Sequence, residues 1–168
     1  MVPRLRVTTL IVALILGVFL VYVPLQLRPL DTQLGDTLRP VWSCSGALLF
    51  VAGMALSFSG AYYLVRRGDG TSFLLKPPPR LVVAGPYAYL QHPILLGGLV
   101  MLLGEALWLS SPSVGLYATG VALLSHVYVV YVEEPRLIQK FGTDYRAYRC
   151  AVPRWVPKLP TARDSTPF

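Results

Sequence analysis

The chain has 168 residues, 54% of them hydrophobic and only 14% charged, with a mean hydropathy of +0.55. Soluble domains carry about 25% charged residues, so this balance excludes an ordinary soluble domain and points to one integral membrane domain over residues 1–168. The net charge of +7 does not make a nucleic-acid binder, because the basic residues lie between long apolar runs rather than along a continuous stripe.

In chain order, the first expected span is Val7 to Val23, closed by Pro24. Seventeen residues rise about 25 Å, short but workable for a hydrocarbon core of roughly 30 Å. Arg4 and Arg6 ahead of it imitate a signal peptide. The run is long for one, however, and no Ala-x-Ala site follows, so a retained anchor is expected. A polar loop over 24–40 carries Pro24, Pro29 and Pro40. The second span, Val41 to Val65, has Trp42 near one end and Tyr62-Tyr63 near the other, where interfacial aromatics belong. It completes two N-terminal spans within 1–65. Gly46, Gly53 and Gly60 recur every seven residues and so share a face on which another helix can approach closely.

Residues 66–93 read as a loop. Arg66-Arg67-Gly68-Asp69-Gly70 makes a charged turn, and Lys76-Pro77-Pro78-Pro79-Arg80 is stiff and extended because proline fixes φ. Leu81-Val82-Val83 is a short apolar stretch. The third span is Ile94 to Leu109, with Gly97 and Gly104 on one face; Ser110-Ser111-Pro112-Ser113 is a tight turn; the fourth span is Val114 to Val132. Residues 94–157 thus form a helical hairpin with a C-terminal segment behind it, and 158–168 a loose tail. The expected fold class is all-α: a polytopic transmembrane helical bundle of four spans with an amphipathic C-terminal helical segment.

Counting Lys and Arg sets the orientation. The N-terminus, the 66–93 loop and the C-terminal segment share one side and hold 13 of the 15 basic residues; Arg28 and Arg39 lie on the other. Positive residues stay inside, so both termini, Gly85–Pro93 and Glu133–Pro157 face the cytoplasm. The expected location is a bacterial-type inner or plasma membrane. Cys44 and Cys150 fall on opposite sides, so neither a disulfide nor a metal site is expected.

Candidate chemistry gathers where the hairpin ends meet. Glu133-Glu134 close the fourth span, where acids oppose the helix dipole; the plain alternative is that Pro135 opens a new helix whose start they decorate. His92-Pro93 opens the third span, as a site residue or as a capping or interfacial imidazole. His126, seven residues before Glu133 and on nearly the same face, is deeper, where ionisable groups are rare; it could equally be a neutral histidine bonded to a neighbouring helix. Glu105, near the outer end of the third span, reads as a snorkelling or locally paired acid. Leu137, Phe141, Tyr145 and Tyr148 recur at helical spacing among Arg136, Lys140, Arg146 and Arg149, the pattern of an interfacial segment resting on anionic lipid. Gly142-Thr143 ends one short helix and caps the next. Gly-rich phosphate loops, zinc clusters and nucleophile elbows are absent from the sequence.

Gly85-Pro86-Tyr87, His92-Pro93 with Gly97, a hairpin, Glu133-Glu134, Phe141-Gly142 with Tyr145 and Tyr148, and Val152-Pro153-Arg154 follow one another in this order. Over about residues 77–157 the chain resembles the isoprenylcysteine carboxyl methyltransferase and phospholipid N-methyltransferase superfamily of membrane enzymes. It departs from that pattern at Gln91, where arginine is usual, and at Leu95, where tyrosine is usual. The resemblance implies S-adenosylmethionine bound at the cytoplasmic ends of the last spans, and a lipophilic small-molecule or lipidated acceptor reaching it from the membrane lipids. It implies cofactor contacts at Gly85, Pro86, Tyr87, Tyr89, His92, Pro93, Gly97, Glu133 and Glu134. Carboxylates can accept from the ribose or the ammonium, a tyrosine can face the sulfonium or the adenine, and His92 can hold the carboxylate end. An amine acceptor must lose a proton, which makes Glu134 or His126 a catalytic base; a carboxylate acceptor needs none. Two rivals stand beside this reading, an NADPH-dependent sterol-type reductase and a non-catalytic membrane scaffold.

Overall fold

The computed structural model describes residues 18–27, 31, 39–68 and 79–158. Most of the first span, residues 28–30 and 32–38 of the 24–40 loop, Asp69-Gly70, Lys76-Pro77-Pro78 and nearly all of the tail lie outside the described residues. All regular structure among the described residues is helical. α1 (Val18–Leu27) begins as a π-helical turn, Val18–Tyr22, and continues as an α-helix, Val23–Leu27. α2 is Arg39–Arg67, a 3₁₀ turn covers Gly85–Ala88, and α3 is Pro93–Trp108. α4, Pro112–Tyr128, runs through a second π turn, Val129–Glu133, into α5, Glu134–Phe141; α6 is Thr143–Ala151.

Two helical runs are long and apolar enough to cross a membrane, Trp42–Arg67 and Pro112–Phe141, while Val18–Leu27 and Pro93–Trp108 are apolar but shorter. Their outward faces carry large apolar side chains: Leu48, Phe58, Leu116, Leu124 and Tyr131 are all exposed. A surface of that kind suits lipid rather than water.

Pro24, expected to close the first span, does not end its helix, and Pro135 stands in the first turn of α5, as in the alternative in which it opens a new helix. Pro24 lies inside α1 and Pro135 inside the run that leaves α4. A proline lacks the N–H and presses its ring on the carbonyl four residues back. In both places a π turn finishes two residues earlier. Its wider pitch, with Glu134 N–H bonded to Val129 O, lets the chain stay helical through the proline.

The glycine faces explain how the helices pack. Gly46 meets Gly104 and Trp108, Gly53 meets Gly97 and Met101, and Gly60 meets Ile94 and Pro93, so α2 and α3 run antiparallel in close contact. A side chain at Gly53 would begin 2.5 Å from Gly97 O. Ser57 Oγ donates to Ile94 O at 3.1 Å across this seam. At the outer turn Ser111 caps α4 by accepting from Val114 N–H, and Asp31 accepts from Ser111 Oγ and Ser113 N–H. Glu105 departs from the expected snorkelling: it is buried, and its Oε2 has no partner among the described residues.

At the other end, α5 and α6 fold back under the hairpin. Gly142 joins them with φ at +58°, a conformation that favours glycine, and it rather than Thr143 occupies the cap position of α6. The apolar face expected to rest on lipid instead turns inward. Tyr145, Tyr148 and Val152 form a buried cluster with Leu81, Leu137, Ile138, Phe141 and Ala151. Leu81, from the short apolar stretch Leu81-Val82-Val83, packs against this cluster from outside the two helices.

Candidate functional site

Three short pieces meet at this end of the bundle: the turn Gly85–His92, the π turn that closes the fourth span, and the segment after α6. Gly85 starts the first with φ at +64° and with the Tyr63 ring 2.6 Å from where a side chain would begin. Tyr89 and Leu90 N–H both donate to Pro86 O. Tyr148 Oη donates to Tyr87 O at 2.7 Å, which fixes this turn to α6. His92 takes the cap position of α3, yet its side chain caps nothing, and the residue is buried.

His92 Nδ1 lies 3.6 Å from Glu133 Oε2. Burial holds this imidazole neutral, down to about 4, with Glu134 pulling the other way and Arg154 reinforcing burial. Glu133 stands just beyond Val132, where the span leaves the apolar run. Burial and then the charge of Glu134 push its carboxyl up to about 7. At neutral pH the two groups are therefore a neutral ring beside a half-ionised acid, not an ion pair. No lysine or arginine contacts Glu133 among the described residues, and His92 Nε2 is buried without a partner. Burial, and then Glu133, also raise the Tyr87 phenol above its ordinary value.

Glu134 has a different environment. Arg154 Nε donates to its Oε1, while Arg149 Nη1 and Arg154 Nη2 donate to Oε2 at 2.9 and 3.0 Å. Burial opposes its ionisation, but Arg154 and Arg149 outweigh burial and hold the carboxyl below its ordinary value. Trp155, next along the chain, has its ring 5.8 Å from that of His92 and 6.2 Å from that of His126. Its Nε1 donates to His126 Nδ1 at 3.1 Å.

A neutral imidazole and a carboxylate that have, among the described residues, no partner on Nε2 and no cation, with aromatic faces beside them, suit a small polar cation. The phospholipid methyltransferase family model matches residues 41–144, more than half of the chain. The chain belongs to the phospholipid methyltransferase family. No curated protein and no solved structure is significantly similar to it. Membership of this family implies a membrane setting, lipid substrates and S-adenosylmethionine as methyl donor.

Of the residues singled out in the sequence, His92 and Glu133 come together, with Tyr87 close to Glu133 and His126 joined through Trp155. Three others have different company. Gly97 faces Gly53 and Ser57 in the α2–α3 seam, where a ligand has no room. Pro93 packs on Gly60 as the first residue of α3. Glu134 has both oxygens committed to arginines, which suits a strut better than a base. Gly85 and Pro86 shape the turn, and Tyr89 is exposed, with its carbonyl accepting from Lys158 N–H. In the sequence Arg154 stands only as part of the closing Val152-Pro153-Arg154 motif, with no site role assigned to it or to Trp155. An acid at the end of an apolar span with Arg149 and Arg154 farther along the same cytoplasmic segment was the available signal.

Proposed function

We propose that this chain is an integral membrane methyltransferase of four spans. It binds S-adenosylmethionine at the cytoplasmic base of the α3–α4 hairpin and methylates a lipophilic acceptor, a phospholipid amine or an isoprenylcysteine-type carboxylate. One observation supports this above the others: in a member of a methyltransferase family, a buried imidazole stands beside a carboxylate, and among the described residues its Nε2 has no partner and the carboxylate no cation. The charge count supports cytoplasmic termini in a bacterial-type inner or plasma membrane.

The cofactor, when bound, supplies a methyl group on a sulfonium centre. Glu133 offers its charge to the cationic part of this ligand and can accept from hydroxyls. His92, neutral through the working pH range, offers Nε2 to the amino-acid end. Tyr87 and Trp155 present aromatic faces to a cation or a flat base. Arg149 and Arg154 fix Glu134, so the start of α5 is tied to α6 and to the segment after it. Methyl transfer is an in-line displacement, and its main demand is that acceptor, methyl and sulfur line up. With an amine acceptor, Glu133 is better placed than Glu134 to receive the proton, because its carboxyl titrates near neutrality and is not committed to arginine. With a carboxylate acceptor, opposite charges shrink together and a dry pocket suffices.

Calorimetric titration in detergent micelles tests this reading. Binding of S-adenosylmethionine upholds it, binding of NADPH instead favours a reductase, and binding of neither favours a scaffold. His92→Ala and Glu133→Gln each weaken binding about tenfold or more, the scale of one lost charge-assisted hydrogen bond. Glu105→Gln, at the far end of α3, leaves it within twofold. Labelled methyl transfer into a lipid extract then identifies the acceptor.

A further inference from the structure

Gln91 precedes His92 in the chain, and its contacts give it a role in the site. The residue is 5% exposed. Its Nε2 donates to Val152 O and, at 3.3 Å, to Arg149 O. Its backbone N–H donates to Pro153 O at 3.0 Å. These acceptors lie at the C-terminal end of α6 and just beyond it, where a helix leaves its last carbonyls unpaired. Two carbonyls on Nε2 also fix the amide's orientation, since a flipped amide would set oxygen against oxygen.

A second fastening, Lys158 N–H to Tyr89 O at 3.0 Å, holds the far end of the same segment. Between the two fastenings lie Arg154, which grips Glu134, and Trp155, which lies against His92 and donates to His126. The side chain of Gln91 and the ring of His92 are therefore consecutive in the chain and linked in space by one strap, Val152–Lys158.

We propose that Gln91 is a positioning residue for the cofactor site: its side-chain amide latches the Val152–Lys158 strap and so holds Trp155 over His92. The effect on the cofactor rests on the methyltransferase reading; the latch does not. Without the amide donors, the buried carbonyl of Val152 and the part-buried carbonyl of Arg149 lose this partner, a cost large enough to free a short segment. Trp155 then leaves His92, and water reaches the imidazole nitrogen that a ligand would otherwise occupy. Arginine at this position keeps N–H donors for the same carbonyls. Glutamate, of nearly the same shape, sets oxygen against them.

The test uses the full chain in micelles with Trp42→Phe and Trp108→Phe, which leaves Trp155 as the single indole. Acrylamide quenching of Trp155 and calorimetric binding of S-adenosylmethionine are measured in this background, in Gln91→Glu and in Gln91→Arg. Gln91→Glu is expected to raise quenching at least twofold and weaken binding at least tenfold at unchanged helical circular dichroism. Gln91→Arg stays within twofold on both. Gln91→Met, which removes the donors without adding charge, replaces Gln91→Glu if that variant does not fold. The proposal is overturned if Trp155 stays shielded in the donor-free variant, if Trp155 is released while binding holds, or if Gln91→Arg fails alongside it. Absence of binding in the background itself overturns the methyltransferase reading, and the quenching comparison then still decides the latch.

Discussion

The carboxyl of Glu133 makes cofactor affinity a function of pH over a narrow window. With its pKa raised to about 7, the free site carries a proton on Glu133 at acid pH, and a cationic ligand must expel it. Affinity therefore falls as pH drops below 7 and levels off above it. The ionised fraction goes from about nine-tenths at pH 8 to about one-tenth at pH 6, which sets a ceiling near tenfold on the change in Kd. A third of the side chain is exposed, so solvent screening trims this to about fivefold to tenfold. His92, lowered to about 4, stays neutral throughout and adds no slope. Calorimetry at pH 6, 7 and 8 on the wild type and Glu133→Gln isolates the effect, because titration of the ligand itself is common to both. A wild-type Kd that is flat over this range, or a slope that survives in Glu133→Gln, refutes the assignment of Glu133 as the cation's partner.

Glu134→Gln removes the charge that Arg149 and Arg154 share. Breaking a buried pair costs about 3–5 kcal/mol, and the exposure of both guanidinium groups reduces this to about 2, so the thermal midpoint in micelles falls by about 4–8 °C. Because this carboxyl is held below its ordinary value, the stability it contributes is present above the usual carboxylate range and is lost as pH falls through its folded value. Gly53→Leu forces α2 from α3 and costs about 3 kcal/mol, whereas Gly98→Ala, with nothing within 4 Å, leaves the midpoint unchanged or raises it. Trp155→Phe keeps the ring and loses the bond to His126; a Kd increase of about threefold to tenfold corresponds to one hydrogen bond of about 1 kcal/mol.

The hairpin and its glycine faces were legible because both follow from composition and a seven-residue spacing. So was the meeting of His92 with an acid, since a helical hairpin returns the chain to the side it left. Which acid it meets was not legible. Glu133 and Glu134 are neighbours on a helix and point about 100° apart, and their directions depend on a π turn that leaves no mark on hydropathy. Pro24 misled for a related reason: a proline ends an ordinary α-helix but not one that widens just before it. Alternation of Leu137, Phe141, Tyr145 and Tyr148 gave an apolar face without naming what it faces, and Leu81 is the answer. Gln91 drew notice only as a departure from a pattern; its donors acquire meaning from carbonyls some sixty positions later.

The π turn at Val129–Glu133 also bears on how this site tolerates change in length. A π turn accommodates one residue more than an α-turn would, so it behaves as an insertion absorbed within a continuous rod. Deleting any one of its five residues would let the rod close into plain α-helix. The wide turn had absorbed that residue, so four α-helical residues then cover about the rotation and rise of the five, and Glu134 keeps its arginines and, where it is not itself the one deleted, Glu133 its imidazole. The same deletion inside α4 has no such slack: everything beyond rotates by about 100° and shifts by about 1.5 Å.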